Sequence, residues 1–283
     1  MKRLMGILAL CCAATVAQAE TFTFTAIPDQ DETRLQERFN KVAAYLSRQL
    51  GVEVKYIPVK SYDASVTAFR NNQVQLAWFG GLTGVQARRM VPDSRALAQG
   101  IEDQEFVTYF ISHKSAGLSP STDFPAAIAG KTFTFGAKGS TSGRLMPEYF
   151  IRKHFNKAPE QVFERVGFSG DHDRTITEVQ AGAYQVGALN YTVWEAAAAA
   201  GKIEADKVQV IWKSPPYQDY QWTIRGDVDS TYGAGFTDKV QKALLNMTDK
   251  ACLEAFPRTG FIKATNENYG AIEQIAKEVG LLE

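Results

Sequence analysis

Hydrophobic positions along this chain switch repeatedly between two periods. Thr21-Phe22-Thr23-Phe24-Thr25-Ala26 alternates strictly, as a half-buried strand does. Over 33–50 the apolar residues Leu35, Phe39, Val42, Ala43, Leu46 and Leu50 fall at helical spacing, and Gly51 closes the run. Alternation returns over 52–59. The segment 61–71 is predicted helical, with Ala64, Ala68 and Phe69 on one face. A third strand over 74–79 ends at Gly80-Gly81, and 82–89 reads as a short helix. Strand and helix in strict alternation predict a parallel α/β sheet.

The second half repeats the theme. Strands are predicted over 106–112, 131–136, 186–189 and 208–212, with an extended segment following 161–166. Helices are predicted over 144–154, 174–183, 193–200, 238–247 and 269–279, and a turn with a short helix over 120–128. No low-complexity linker or short repeat divides the chain. The pattern predicts an α/β protein of two lobes joined by strands that cross near Glu105 and near Asp219. One lobe then takes 20–105 with 220–283, and the other takes 106–219. Ligands gather at the carboxyl ends of strands in such sheets, and a cleft between lobes is the default pocket.

Composition narrows the function. The 283 residues are 45% hydrophobic and 22% charged, as in a soluble globular protein, and the formal net charge is +0. Nothing in that balance draws the chain to nucleic acid or to an anionic membrane, so a bound anion must be held by local geometry. Met1-Lys2-Arg3, the apolar run over 4–16 and Ala17-Gln18-Ala19 form a signal-peptide pattern over 1–19, with Glu20 as the first mature residue. Cys11 and Cys12 leave with it, and Leu10 before Cys11 does not suit lipidation. Cys252 is then the one cysteine left, read as a small core residue with no disulfide partner.

The densest chemistry lies at Gly139-Ser140-Thr141-Ser142-Gly143, between a predicted strand and a predicted helix. A helix start leaves backbone N–H groups unpaired and carries partial positive charge, so hydroxyls clustered there suit a small oxyanion. A plain N-cap would need only one hydroxyl. Other segments that follow strands are Lys60-Ser61-Tyr62-Asp63, Trp78-Phe79-Gly80-Gly81, Gly170-Asp171-His172-Asp173, Asn190-Tyr191 and Tyr217 to Tyr220. Tyr62 offers a hydroxyl donor or simple packing, and Trp78 reads first as core. Gly80 and Gly81 allow a tight turn or a close backbone approach. His172 is either a capping residue or a donor whose titration makes binding pH-sensitive.

Catalysis and metals fit less well. Ser140 or Ser142 with His172 and Asp173 can be drawn as a triad, but no G-x-S-x-G elbow is present. His113, His154 and His172 lack metal-ligand spacing, and no glycine-rich nucleotide motif occurs. No cofactor, metal or enzymatic activity is expected.

These segments together resemble the phosphonate/phosphite-type substrate-binding proteins of bacterial ABC importers, over essentially the whole mature chain. The marks are Ser61-Tyr62, the run from Phe69 to Gly80, Gly139-Ser140-Thr141-Ser142-Gly143-Arg144-Leu145-Met146-Pro147, Gly170-Asp171-His172-Asp173 and Val210 to Pro216. The run from Phe24 to Asp31 and Phe168-Ser169-Gly170-Asp171-His172 are most similar to the branch labelled as selenate importers. The resemblance implies a type II periplasmic binding fold, a periplasmic monomer, and an inner-membrane permease with its ATPase as partners. It places anion contacts on Tyr62, Ser140, Thr141, Ser142 and His172. Of two acidic positions that hold the ammonium of aminophosphonates in the family, one falls about at Thr192 and is not acidic; the other falls near Asp219. A second aromatic contact falls on Phe106, which has no hydroxyl. Both departures favour a bare tetrahedral oxyanion.

The expected mechanism is capture by closure, with Tyr62 and Gly80-Gly81 swinging onto an anion docked at 140–142. A site with only donors favours fully ionised selenate or sulfate. A carboxylate acceptor favours phosphate or phosphite that keeps a proton, and Asp171 or Asp173 could be that acceptor. The competing readings are a secreted serine hydrolase, or the same fold with an organic ligand such as a pyrimidine.

Overall fold

The structure is a computed structural model that describes residues 20–282; the signal-peptide reading and Cys11 and Cys12 lie outside the described residues. Two mixed sheets organise the chain. In the first half come β1 (Phe22–Ala26), α1 (Glu32–Leu50), β2 (Val54–Tyr56), α2 (Tyr62–Arg70), β3 (Leu76–Phe79), α3 (Gly81–Met90) and β4 (Arg95–Gly100). Next are β5 (Thr108–His113), β6 (Thr132–Phe135), α4 (Met146–Phe155), α5 (Pro159–Val162), β7 (Arg165–Phe168) and α6 (His172–Gln180). They are followed by β8 (Val186–Asn190), α7 (Tyr191–Ala199), β9 (Val208–Lys213), β10 (Gln221–Ile224), α8 (Val228–Tyr232), α9 (Phe236–Leu245), α10 (Lys250–Leu253), β11 (Phe261–Lys263) and α11 (Gly270–Glu278).

The first sheet has the order β11-β4-β10-β3-β1-β2, and the second β7-β6-β8-β5-β9. Within the first, β1 pairs parallel with β2 and β3, as its alternating pattern requires. The prediction of an all-parallel sheet is corrected by β10, which inserts antiparallel between β3 and β4. Three strands escaped the hydrophobic pattern. Arg95-Ala-Leu-Ala-Gln-Gly is built from alanine and glycine rather than β-branched residues, and β10 and β11 are four and three residues long.

α1 shows why the helical readings hold. Its buried face is the predicted set Leu35, Phe39, Val42, Ala43, Leu46 and Leu50, with Tyr45 added. Asp31 caps the Arg34 amide, and Gly51 ends the helix at φ 71°, in the left-handed region that a Cβ disfavours. Phe39 then packs against Phe24, Tyr56 and Phe256 in the core of the first sheet. Cys252 is buried in that same core.

The chain passes between the sheets through two connectors, and these touch. Phe106 and Tyr217 exchange both backbone hydrogen bonds at 2.9 Å, an isolated antiparallel bridge. Beside it Asp103 accepts two hydrogen bonds from Arg258, at 2.6 and 2.8 Å, with both side chains buried. The Arg258 guanidinium also lies over the rings of Phe106 and Tyr220.

Candidate functional site

β6 delivers the hydroxyl cluster to the seam between the two halves. Ser140 is followed by a π-helical turn, Thr141–Leu145, that leads into α4. The three hydroxyl residues are all buried, yet their side chains meet different fates. Ser140 is the cap: its Oγ accepts the Gly143 amide at 2.9 Å. Thr141 Oγ1 accepts the Leu82 amide from α3 at 3.1 Å. Ser142 Oγ is buried without a hydrogen-bond partner. Tyr217 pairs with Thr108 Oγ1 at 2.6 Å, and Thr108 donates to the Ser142 carbonyl at 2.9 Å, which fixes the turn on β5.

His172 opens α6 beside that turn. A Cβ on Gly143 would stand 3.1 Å from His172 Cε1, so glycine is what lets the ring lie this close. The His172 amide donates to the Asp29 carbonyl at 3.1 Å, which ties α6 to the loop after β1. Its Nδ1 accepts the Asn190 amide at 3.4 Å. That bond requires a bare Nδ1 and leaves the proton on Nε2. Burial pushes the imidazole pKa down to about 3, so the ring is a neutral N–H donor. Its Nε2 is buried and unpartnered.

Tyr62 enters from the other half at the first position of α2, with Ser61 as the cap. Its Oη is also buried without a partner. Burial raises its pKa well above 10, so the phenol stays a donor. Asp219 comes from the connector after β9. Its Oδ1 accepts the Gly81 amide at 2.9 Å, and its Oδ2 is buried with nothing bonded to it. Burial lifts its pKa to about 7, against the pull of the Gly81 amide and the Thr141 hydroxyl. Gly80 lies under both groups: a Cβ there would sit 3.1 Å from Thr141 Oγ1 and 3.3 Å from Asp219 Oδ1.

Three buried donors and one buried acceptor are therefore left open along this seam: Tyr62 Oη, Ser142 Oγ, His172 Nε2 and Asp219 Oδ2. Each such group costs about 1–3 kcal/mol when nothing satisfies it. Their grouping is what a polar ligand would repay.

Other sequence candidates stand back from this group. Trp78 is core, stacked on Tyr220 with centroids 5.4 Å apart and edge-on to Phe256 at 5.0 Å. The Asn190 side chain is spent on the Tyr220 hydroxyl at 3.0 Å and on the Thr192 amide at 2.7 Å. Tyr191 packs edge-on against Phe106. Asp173 lines an outer cleft of about 610 Å³ with Asp171, Lys138, Arg174 and the outer side of Tyr62. Asp171 caps α6 through the Arg174 amide at 2.8 Å. Of the three aspartates, Asp219 alone has a buried oxygen without a partner. His172 is corrected too, since burial removes its titration from the neutral range. Thr108 and Asp29 were missed, because their roles arise from partners far away in the chain.

A two-lobed α/β binder with unsatisfied polar atoms buried at its seam is the class of protein that fold and site define. The family model for the phosphonate ABC transporter periplasmic substrate-binding protein matches residues 24–269, and the chain belongs to that family. It is 41% identical over 261 residues to the probable ABC transporter phosphite-binding protein PhnD1 of Prochlorococcus marinus, covering 90% of this chain and 88% of the relative. A structure of PhnD1 in complex with methylphosphonate superposes with a TM-score of 0.88 at 39% identity, over 93% of this chain and 99% of that one. The phosphate-import protein PhnD of Mycolicibacterium smegmatis is 25% identical over 257 residues, 86% of this chain and 75% of its own. The protein is a periplasmic substrate-binding component of an ABC transporter of the phosphonate/phosphite type.

Proposed function

We propose that this chain captures a small tetrahedral phosphorus oxyanion that still carries one proton, of the phosphite or methylphosphonate class. The open Oδ2 of Asp219 supports that reading above any other observation. A carboxylate oxygen set among N–H and O–H donors repels a fully ionised anion and welcomes an anion's own O–H. Selenate and sulfate lack that proton near neutral pH, so the selenate reading gives way to phosphite or phosphonate. The names of PhnD1 and of its methylphosphonate complex agree with this class.

The energetics are adequate. Micromolar affinity needs about 8 kcal/mol. Hydrogen bonds to a charged group contribute about 1.5–3 kcal/mol each, and three side-chain donors, one acceptor and the amides at the head of the π turn are at hand. Desolvation and closure offset part of that sum.

The hydrolase alternative lacks its relay. The His172 nitrogen that would face an acid accepts the Asn190 amide instead, and Asp173 lies in the outer cleft. A pyrimidine would want a free aromatic face, while Phe106 and Trp78 are packed on other rings. In this reading residues 1–19 direct export and are removed. The mature monomer passes its anion to an inner-membrane permease and ATPase. Titration calorimetry near neutral pH with phosphite, methylphosphonate, phosphate, sulfate and selenate tests it. Phosphite or methylphosphonate should bind at least tenfold more tightly than sulfate and selenate; the reverse order would overturn the proposal.

A further inference from the structure

The resemblance implied one shared task for three neighbouring hydroxyls, yet of the three only the Ser142 hydroxyl is buried without a hydrogen-bond partner. Thr141 points elsewhere. Its Oγ1 accepts the amide of Leu82, in the first turn of α3, at 3.1 Å. α3 packs against β3 and β10 of the first sheet, while the π turn packs against β8 of the second. The contact therefore crosses the seam, and it is fully buried.

We propose that Thr141 is a latch between the two halves, its hydroxyl holding the Leu82 amide, rather than a donor to the anion. The inference rests on the oxyanion reading of the pocket and assigns how that pocket stays shut. Neighbouring atoms agree with it. A Cβ on Gly80 would press on Thr141 Oγ1 at 3.1 Å, so the missing side chain clears the latch's seat. A Cβ on Gly139 would meet Tyr62 Cβ at 2.9 Å, so the same loop closes on α2 only because it lacks a side chain there. Gly81, next to Leu82, gives its own amide to the Asp219 carboxylate, so two successive amides at the head of α3 are held by the seam.

The test compares the full mature chain with Thr141→Val and Thr141→Ser, using phosphite as the probe. Stopped-flow release and hydrogen exchange of the Leu82 amide are the readouts. Thr141→Val, which keeps the shape and loses the hydroxyl, should release phosphite at least tenfold faster and should lose protection at Leu82. Thr141→Ser should restore both. Weaker binding with Leu82 still protected would make Thr141 an ordinary anion donor and overturn the latch. Unchanged release with unchanged protection would do the same. If wild type binds no oxyanion, the functional reading falls instead. Leu82 protection in the unliganded wild type and Thr141→Val chains then still decides on the latch: loss in the variant supports it, and equal protection overturns it. Should Thr141→Val fail to fold, the same comparison between wild type and Thr141→Ser serves, with release and Leu82 protection expected within about threefold of wild type and a larger change in either overturning the latch.

Discussion

The Asn190 amide donates to Nδ1 of His172, and this one bond decides which nitrogen of the ring faces the pocket with a proton. It makes His172 a neutral donor whose supply does not depend on pH in the range where the protein works. Nitrogen NMR of the unliganded protein should show the Nε2–H tautomer from about pH 8 to about pH 5. A titration near the ordinary histidine value would refute the assignment. The sign for stability follows: the folded pKa is depressed from 6.5 to about 3, so the ring's contribution is present above 6.5 and is lost as pH falls through that window.

Ser140 and Ser142 should separate stability from binding. Ser142→Ala removes an unpartnered hydroxyl, so it should weaken phosphite binding at least tenfold and leave Tm nearly unchanged. Ser140→Ala removes a cap worth about 1 kcal/mol and should lower Tm. Thermal melts beside calorimetry would check both; a Tm loss confined to Ser142→Ala would reverse the assignments.

The buried carboxylate sets the pH profile. A protonated anion on ionised Asp219, or a dianion on protonated Asp219, contains the same single proton. Affinity should therefore fall about tenfold per pH unit above the pKa values of both groups. Asp219→Asn should flatten that slope and shift preference toward sulfate and selenate, because the amide can donate. Without ligand, the pKa raised from 3.8 to about 7 means that stability declines as pH climbs through that interval. Calorimetry across pH with both chains would show it.

Tyr62→Phe deletes a buried hydroxyl that nothing satisfies in the unliganded protein. Affinity should drop about tenfold to a hundredfold, the worth of a hydrogen bond to a charged group. Tm without ligand should stay level or rise slightly. A fall in Tm with intact affinity would show the hydroxyl to be structural.

Asp103→Ala leaves the Arg258 guanidinium buried without its carboxylate. Removing one partner of such a pair costs about 3–5 kcal/mol. Urea unfolding should report a loss of that size, far above the effect of Lys60→Ala, whose ion pair with Glu32 is exposed.

Much of this was legible in the sequence. Periodicity located α1 to within a residue because its apolar face is continuous, and the run of hydroxyls after β6 pointed to a buried turn at the seam. Tyr62 and His172 stood out as candidates because each lies where a helix begins after a strand, and both carry a buried polar atom without a partner. The acceptor was harder. Asp171 and Asp173 flank His172 in the chain, but a residue beside another in sequence need not share its direction at a helix start. Asp171 turned back to cap its own helix. Asp219 comes from a connector some fifty residues away; the resemblance marked its position for an ammonium, and the burial of its free oxygen is what supports the acceptor role proposed here. Division of labour within Ser140-Thr141-Ser142 was equally hidden, because the partners of Ser140 and Thr141 are backbone amides, which carry no sequence signature.

The Phe106–Tyr217 bridge has a mechanical meaning. Two unattached linkers would permit the halves to swivel independently, sampling many relative orientations at an entropic cost to each capture event. Zipped together by paired amides, with Arg258 wedged alongside, they flex as a single ribbon. Opening then becomes a bend about one axis, like a book on its spine, and each return brings the same atoms back into register.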